Sequence, residues 1–219
     1  MILNEIDSYY TRPCEFCHKP LGEIHQIFRI PTFEPYIDKT LDELKKIPEE
    51  AHKKAAEFRA YSNCLVHRHC WFEWTQKKSA CSLAIQALKH EFGKRNASCI
   101  AESDLVVAYS TQGKDSNLAP GVLFLPGSGL VSRHLLGINV GDSVVRDRGE
   151  CVEALVNALA EDKVTPGFGL QLSLHTEIDI QCVKEVDNTL QINFASSNEI
   201  YAVYFLYKPD IELLKQAKE

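Results

Sequence analysis

No run of about 18 apolar residues occurs in this 219-residue chain, which excludes a membrane-spanning helix. No secretory leader is expected: the first 20 residues are too acidic and too polar for a signal peptide. A reducing, cytoplasmic setting is therefore expected. In such a setting the eight cysteines serve as metal ligands or buried thiols more often than as disulfides. Excess basic charge is absent too. Residues 1–100 hold 15 Lys+Arg against 13 Asp+Glu, and residues 101–219 hold 9 against 17, a net −8. The second half should repel a phosphate backbone, so charge does not support nucleic-acid binding, although the near-neutral first part does not oppose it. Two catalytic loops fail on inspection. Gly113-Lys114 has Ala108 where a phosphate loop needs glycine, and Gly127-Ser128-Gly129 lacks the Gly-x-Ser-x-Gly spacing of a nucleophile elbow.

What the chain does have is a pair of ligand-rich stretches. Cys14-Glu15-Phe16-Cys17 is a Cys-x2-Cys knuckle. Cys64-Leu65-Val66-His67-Arg68-His69-Cys70 offers Cys-x2-His and His-x2-Cys together. Zinc takes four sulfur or nitrogen ligands, and two ligand pairs separated by a loop are its usual structural arrangement. The expected set is Cys14, Cys17, His67 and Cys70, with Cys64 as the alternative to either member of the second pair. Four protein ligands leave no open position for water, so the zinc is expected to be a structural cofactor and not a Lewis acid.

The order of knuckle and then a ligand pair leading into Trp71-Phe72-Glu73-Trp74 resembles the treble-clef zinc finger. That resemblance covers the first third of the chain. It implies that Cys14 and Cys17 form the knuckle and that His67 and Cys70 open a helix. Two departures stand out: the 46 residues between Cys17 and Cys64 exceed the family's usual insert, and His18 stands where a glycine commonly follows the second cysteine. With Glu23-Ile24-His25-Gln26-Ile27 after it, the knuckle also resembles the lead-in to HNH nucleases. This implies a degenerate site near His25 and His69, because His25-Gln26 stands where that family has His-His or Asp-His.

Along the chain, Thr40-x-x-Glu43 reads as a capping box opening a helix, continued through Ala51, Ala55 and Phe58. A second helical stretch runs from about His67 to Phe92, its apolar stripe set by Trp71, Trp74, Cys81, Ile85, Leu88 and Phe92. Beyond residue 96 the pattern turns strand-like. Residues 105–109 and 122–125 are buried strands, 130–146 hold further strands, and 147–161 form a helix with Val152, Leu155, Val156 and Leu159 inward. Residues 170–182 alternate without a break, and Leu190, Ile192 and Phe194 alternate again. Cys81, Cys99, Cys151 and Cys182 are expected in the core. The predicted fold class is α+β: a zinc-stapled, mostly helical domain (1–95), then an antiparallel β-meander domain (96–219) with one packed helix.

One further cluster is legible. On the 170–182 strand, His175, Glu177 and Asp179 share a face, about 7 Å apart by strand geometry, which suits a divalent metal or an acid–base pair but equally a solvated sheet face. The reading is a zinc-binding interaction or regulatory protein, of adaptor or inhibitor type. Its partner is expected to be a protein, and a basic one given the acidic second half. The alternative is a metal-dependent nuclease or hydrolase, sited near His25 and His69 or on the His175, Glu177 and Asp179 row.

Overall fold

The computed structural model describes residues 11–31, 49–93, 97–110, 121–131, 149–172, 178–196 and 199–219. Helices and antiparallel sheets both contribute heavily, and the fold class is α+β. The chain divides into two compact units, Met1–Glu91 and Phe92–Glu219.

In the first unit, strands β1 (Ile27–Arg29) and β2 (Leu65–His67) pair antiparallel, with Phe28 opposite Val66 and Ile27 opposite His67. Helix α1 (Glu49–Phe58) lies between them in sequence, with Ala55 and Phe58 buried; the capping box at Thr40 and Glu43 lies outside the described residues. Helix α2 (Arg68–Glu73) starts directly after β2, and α3 (Lys77–Gly93) follows. The single helix expected from His67 to Phe92 is therefore interrupted. Trp74 adopts an extended conformation (φ −67°, ψ 119°). Its ring instead joins an aromatic cluster, 5.0 Å from Phe16 of the knuckle, 5.2 Å from Tyr61 and 5.6 Å from Trp71. Periodicity alone carries through the break because Trp71, Trp74 and Cys81 keep helical spacing across it. Beneath them Phe28 stacks on Trp71 at 4.3 Å, and Leu21, Ile30 and Val66 are fully buried alongside. Burial of each such side chain contributes about 1.5–3 kcal/mol, so this small core leans on further support.

The second unit contains two meanders. Strands β3 (Ser98–Glu102), β4 (Val107–Ser110), β5 (Gly121–Leu125) and β6 (Gly129–Val131) form one four-stranded sheet in chain order. Strands β7 (Gly169–Gln171), β8 (Asp179–Val186), β9 (Thr189–Ser196) and β10 (Glu199–Tyr207) form the other. Helix α4 (Gly149–Ala160) packs on β4 and β5 through Val152, Leu155, Val156 and Leu159, the face predicted from periodicity. Gly121 permits that approach: a Cβ there would lie 3.1 Å from Val152 Cβ and from the Tyr109 carbonyl. The chain closes with helix α5 (Pro209–Lys218), which packs on α4 beside the one packed helix expected over 147–161 and sends Ile211 and Leu214 into the same core.

Two strand predictions need correction. Residues 170–182 are not one strand. β7 and β8 pair with each other, Leu170 opposite Ile180 and Gln171 opposite Asp179. Directly opposed residues point to one face of a sheet, and here their numbers share parity, so a hairpin reproduces the alternation of a single long strand. Cys99, expected in the core, is exposed. A bulge between Cys99 and Ala101 sets Ala101 opposite Ala108 but Cys99 opposite Tyr109, which moves the cysteine to the other face. Cys81, Cys151 and Cys182 are buried as expected.

A buried carboxylate joins the β5–β6 turn to the start of α5. Asp210, in the first turn of α5, accepts hydrogen bonds from the Gly127 N–H (3.1 and 3.0 Å to its two oxygens) and from the Ser128 hydroxyl (2.5 Å). The Ser128 oxygen in turn accepts from the Tyr207 N–H at 2.9 Å. The Gly127-Ser128-Gly129 turn, dismissed as a nucleophile elbow, is thus fastened to the β10–α5 junction.

Candidate metal centre

The knuckle is a tight loop closed by its own backbone. The Cys14 N–H donates to the Lys19 carbonyl and the His18 N–H to the Cys14 carbonyl, both at 2.8 Å, while Pro13 and Pro20 face each other across the base. His18 carries the turn at φ +59°. That left-handed conformation is the reason glycine favours the position, and a β-carbon there costs about 1–2 kcal/mol. His18→Gly should therefore raise stability by about 0.5–1 kcal/mol without altering metal content, as measured by denaturant unfolding of the metal-loaded chain.

The opposing ligands arrive on β2 and α2. The Glu15 N–H bonds to the Leu65 carbonyl at 3.1 Å, so the knuckle adds to the β1–β2 pair and is held against the start of α2. Cys14, Cys17, His67 and Cys70 meet there. One ligand atom from each lies within 4.8 Å of all the others. The His67 Nδ1 is 3.3 Å from the Cys17 sulfur and 3.8 Å from the Cys70 sulfur. These separations bracket the roughly 3.5 Å nitrogen–sulfur edge of a tetrahedron built with ordinary zinc bond lengths.

The surroundings fix the histidine for ligation. Its Nε2 is 2.9 Å from the Pro20 carbonyl, an oxygen that can only accept, so Nε2 carries the proton and Nδ1 presents its lone pair to the sulfurs. The His67 backbone N–H donates to the Cys14 sulfur at 3.3 Å, and the Cys14 side chain is fully buried. Cys17 is favoured as thiolate: a hydrogen bond from the Lys19 backbone N–H lowers its pKa below the ordinary thiol value. Cys70 is pushed up to about 12, first by burial and then by the neighbouring Cys17 and Cys14 sulfurs. Near neutral pH the bound ion must therefore displace at least the Cys70 proton, and the apparent dissociation constant should rise at least about tenfold per unit of acidification. Competition titrations with a chromogenic chelator between pH 6 and 8 would measure that slope.

Other expected ligands fall elsewhere. The Cys64 thiol donates to the Ala60 carbonyl at 3.4 Å, and the cluster that could hold a metal ion contains His67 and Cys70 but not Cys64. His69 stacks on the His67 ring at 5.0 Å. His25 is buried with its Nδ1 3.4 Å from Glu23, and its backbone carbonyl accepts from the Arg68 guanidinium at 3.2 and 3.3 Å. Among the described residues neither histidine belongs to a cluster of three or more metal-ligating groups, and the structure does not assemble a site from them. His175 and Glu177 lie outside the described residues, while Asp179 opens β8 opposite Gln171. Sequence reasoning missed the Pro20 carbonyl and the His67 N–H, because backbone groups leave no residue-type signal. Among the described residues no helix is long and apolar enough to cross a membrane. Comparison with protein-family models, with curated proteins and with solved structures finds no match for this chain, so its functional reading rests on the site itself.

Proposed function

We propose that Cys14, Cys17, His67 and Cys70 hold one structural zinc ion, that the N-terminal unit is a treble-clef-type module, and that the protein acts by binding a protein partner as an adaptor or inhibitor. The observation that carries this reading is the donor set: three sulfurs and one nitrogen lie within 4.8 Å of one another, enough to fill a four-coordinate zinc sphere with protein atoms alone. A closed sphere staples a fold and activates no water. The order of knuckle, β1–β2 pair and helix α2 supports the treble-clef assignment, with the long insert placed between β1 and β2. A basic partner is favoured by the net −8 of residues 101–219, 9 Lys+Arg against 17 Asp+Glu.

Cobalt substitution tests the closed sphere. The expected spectrum has the intense visible bands of a four-coordinate sulfur-rich site and is unchanged by added azide or cyanide. A weak five- or six-coordinate spectrum, or one that shifts with the added anion, would show an open position and return the reading to catalysis. For the partner, capture from extract should fall with salt and with charge reversal at Asp179 and Glu185. Capture indifferent to both would remove the basic-partner reading.

A further inference from the structure

We infer that the metal centre is a peroxide-sensitive switch in which Cys17 and Cys70 form a disulfide and release the ion, while Cys14 is spared. This rests on the zinc reading above. The three sulfurs of the cluster differ in access. Cys14 is fully buried and its sulfur accepts the His67 N–H, whereas Cys17 and Cys70 are partly exposed. Both sulfurs lie close to the His67 Nδ1, at 3.3 and 3.8 Å, and all ligand atoms lie within 4.8 Å of one another. Two accessible sulfurs this close can be joined by side-chain rotation and a small backbone adjustment, once they no longer share an ion.

The chemistry balances with a peroxide as oxidant. The Cys17 thiolate attacks one peroxide oxygen, the O–O bond breaks, and the departing hydroxide takes a proton to become water, leaving a sulfenic acid. The Cys70 thiolate then attacks the sulfenic sulfur, an S–S bond forms, and the second hydroxide leaves as water after protonation. Two electrons pass from the two sulfurs to the peroxide. The ion loses two of four ligands, and a site left with Cys14 and His67 cannot retain it. Cys64 and the exposed Cys99 supply the built-in controls, since neither is in the cluster.

The test uses the full chain, first shown by mass spectrometry to carry zinc, then exposed to hydrogen peroxide. Release is followed with a chromogenic chelator and the disulfide located by peptide mapping. The expected result is stoichiometric release with a Cys17–Cys70 bridge, unchanged in Cys64→Ser and Cys99→Ser and reversed by a dithiol plus zinc. Release with a bridge to Cys14 or Cys64, release with sulfinic acids and no bridge, or zinc retained under excess peroxide would each overturn the inference. A chain that never takes up zinc fails at the first step, and that outcome counts against the structural-zinc reading itself.

Discussion

Cys14→Ser should abolish metal binding and unfold the N-terminal unit. Cys14 is the one cluster sulfur that is fully buried, and it is held from both sides: its N–H by the Lys19 carbonyl and its sulfur by the His67 N–H. Losing an outer hydrogen-bond partner of a metal ligand costs about 10- to 100-fold in affinity, so losing the ligand itself should exceed about 100-fold. Metal binding in small units of this kind is folding free energy, about 10–16 kcal/mol for structural zinc near neutral pH. The aromatic core of Phe28, Trp71 and Trp74 is too small to stand without it. The measurement is near-ultraviolet circular dichroism, in which the tryptophan signal should collapse in the variant and in chelator-treated wild type alike. A variant that keeps both its zinc and its tryptophan signal would show that Cys14 is not a ligand.

The second large effect is expected at Asp210. Its carboxylate is buried and satisfies the Gly127 N–H and the Ser128 hydroxyl together, which anchors the β5–β6 turn to the start of α5. Hydrogen bonds to a charged group contribute about 1.5–3 kcal/mol, and removing the acceptor also strands its buried donors. Asp210→Ala should therefore destabilise the second unit by about 3–4 kcal/mol in urea unfolding, while metal content stays unchanged. Ser128→Ala, which removes one hydroxyl and leaves the carboxylate its backbone donor, should cost about 1–2 kcal/mol. A smaller loss in Asp210→Ala than in Ser128→Ala would contradict this account of the junction.

The Cys14, Cys17, His67 and Cys70 cluster was legible because its signal is local. Cys-x2-Cys and His-x2-Cys are spacings that a turn and the start of a helix convert directly into adjacent ligands. The choice between Cys64 and Cys70 was not legible. It depends on where β2 ends: His67 closes the strand and Cys70 lies in the first turn of α2, while Cys64 precedes the strand and turns to Ala60. The inward face of α4 was readable for the same local reason, since period 3.6 survives whatever the helix packs on. Features set by pairing were hidden. The β7–β8 hairpin preserves the parity of a single strand, and the bulge beside Cys99 reverses it, so pattern alone reports one reversal too few and one burial too many. The break at Trp74 follows from an aromatic contact with Phe16, 58 positions away, which no window centred on the helix contains.

The most direct test of the central claim is zinc content by inductively coupled plasma mass spectrometry, measured on wild type, Cys64→Ser and Cys70→Ser. The account predicts one zinc per chain in wild type, the same in Cys64→Ser, and none in Cys70→Ser. Metal retained in Cys70→Ser but lost in Cys64→Ser, or no metal in wild type purified under reducing conditions, would contradict it.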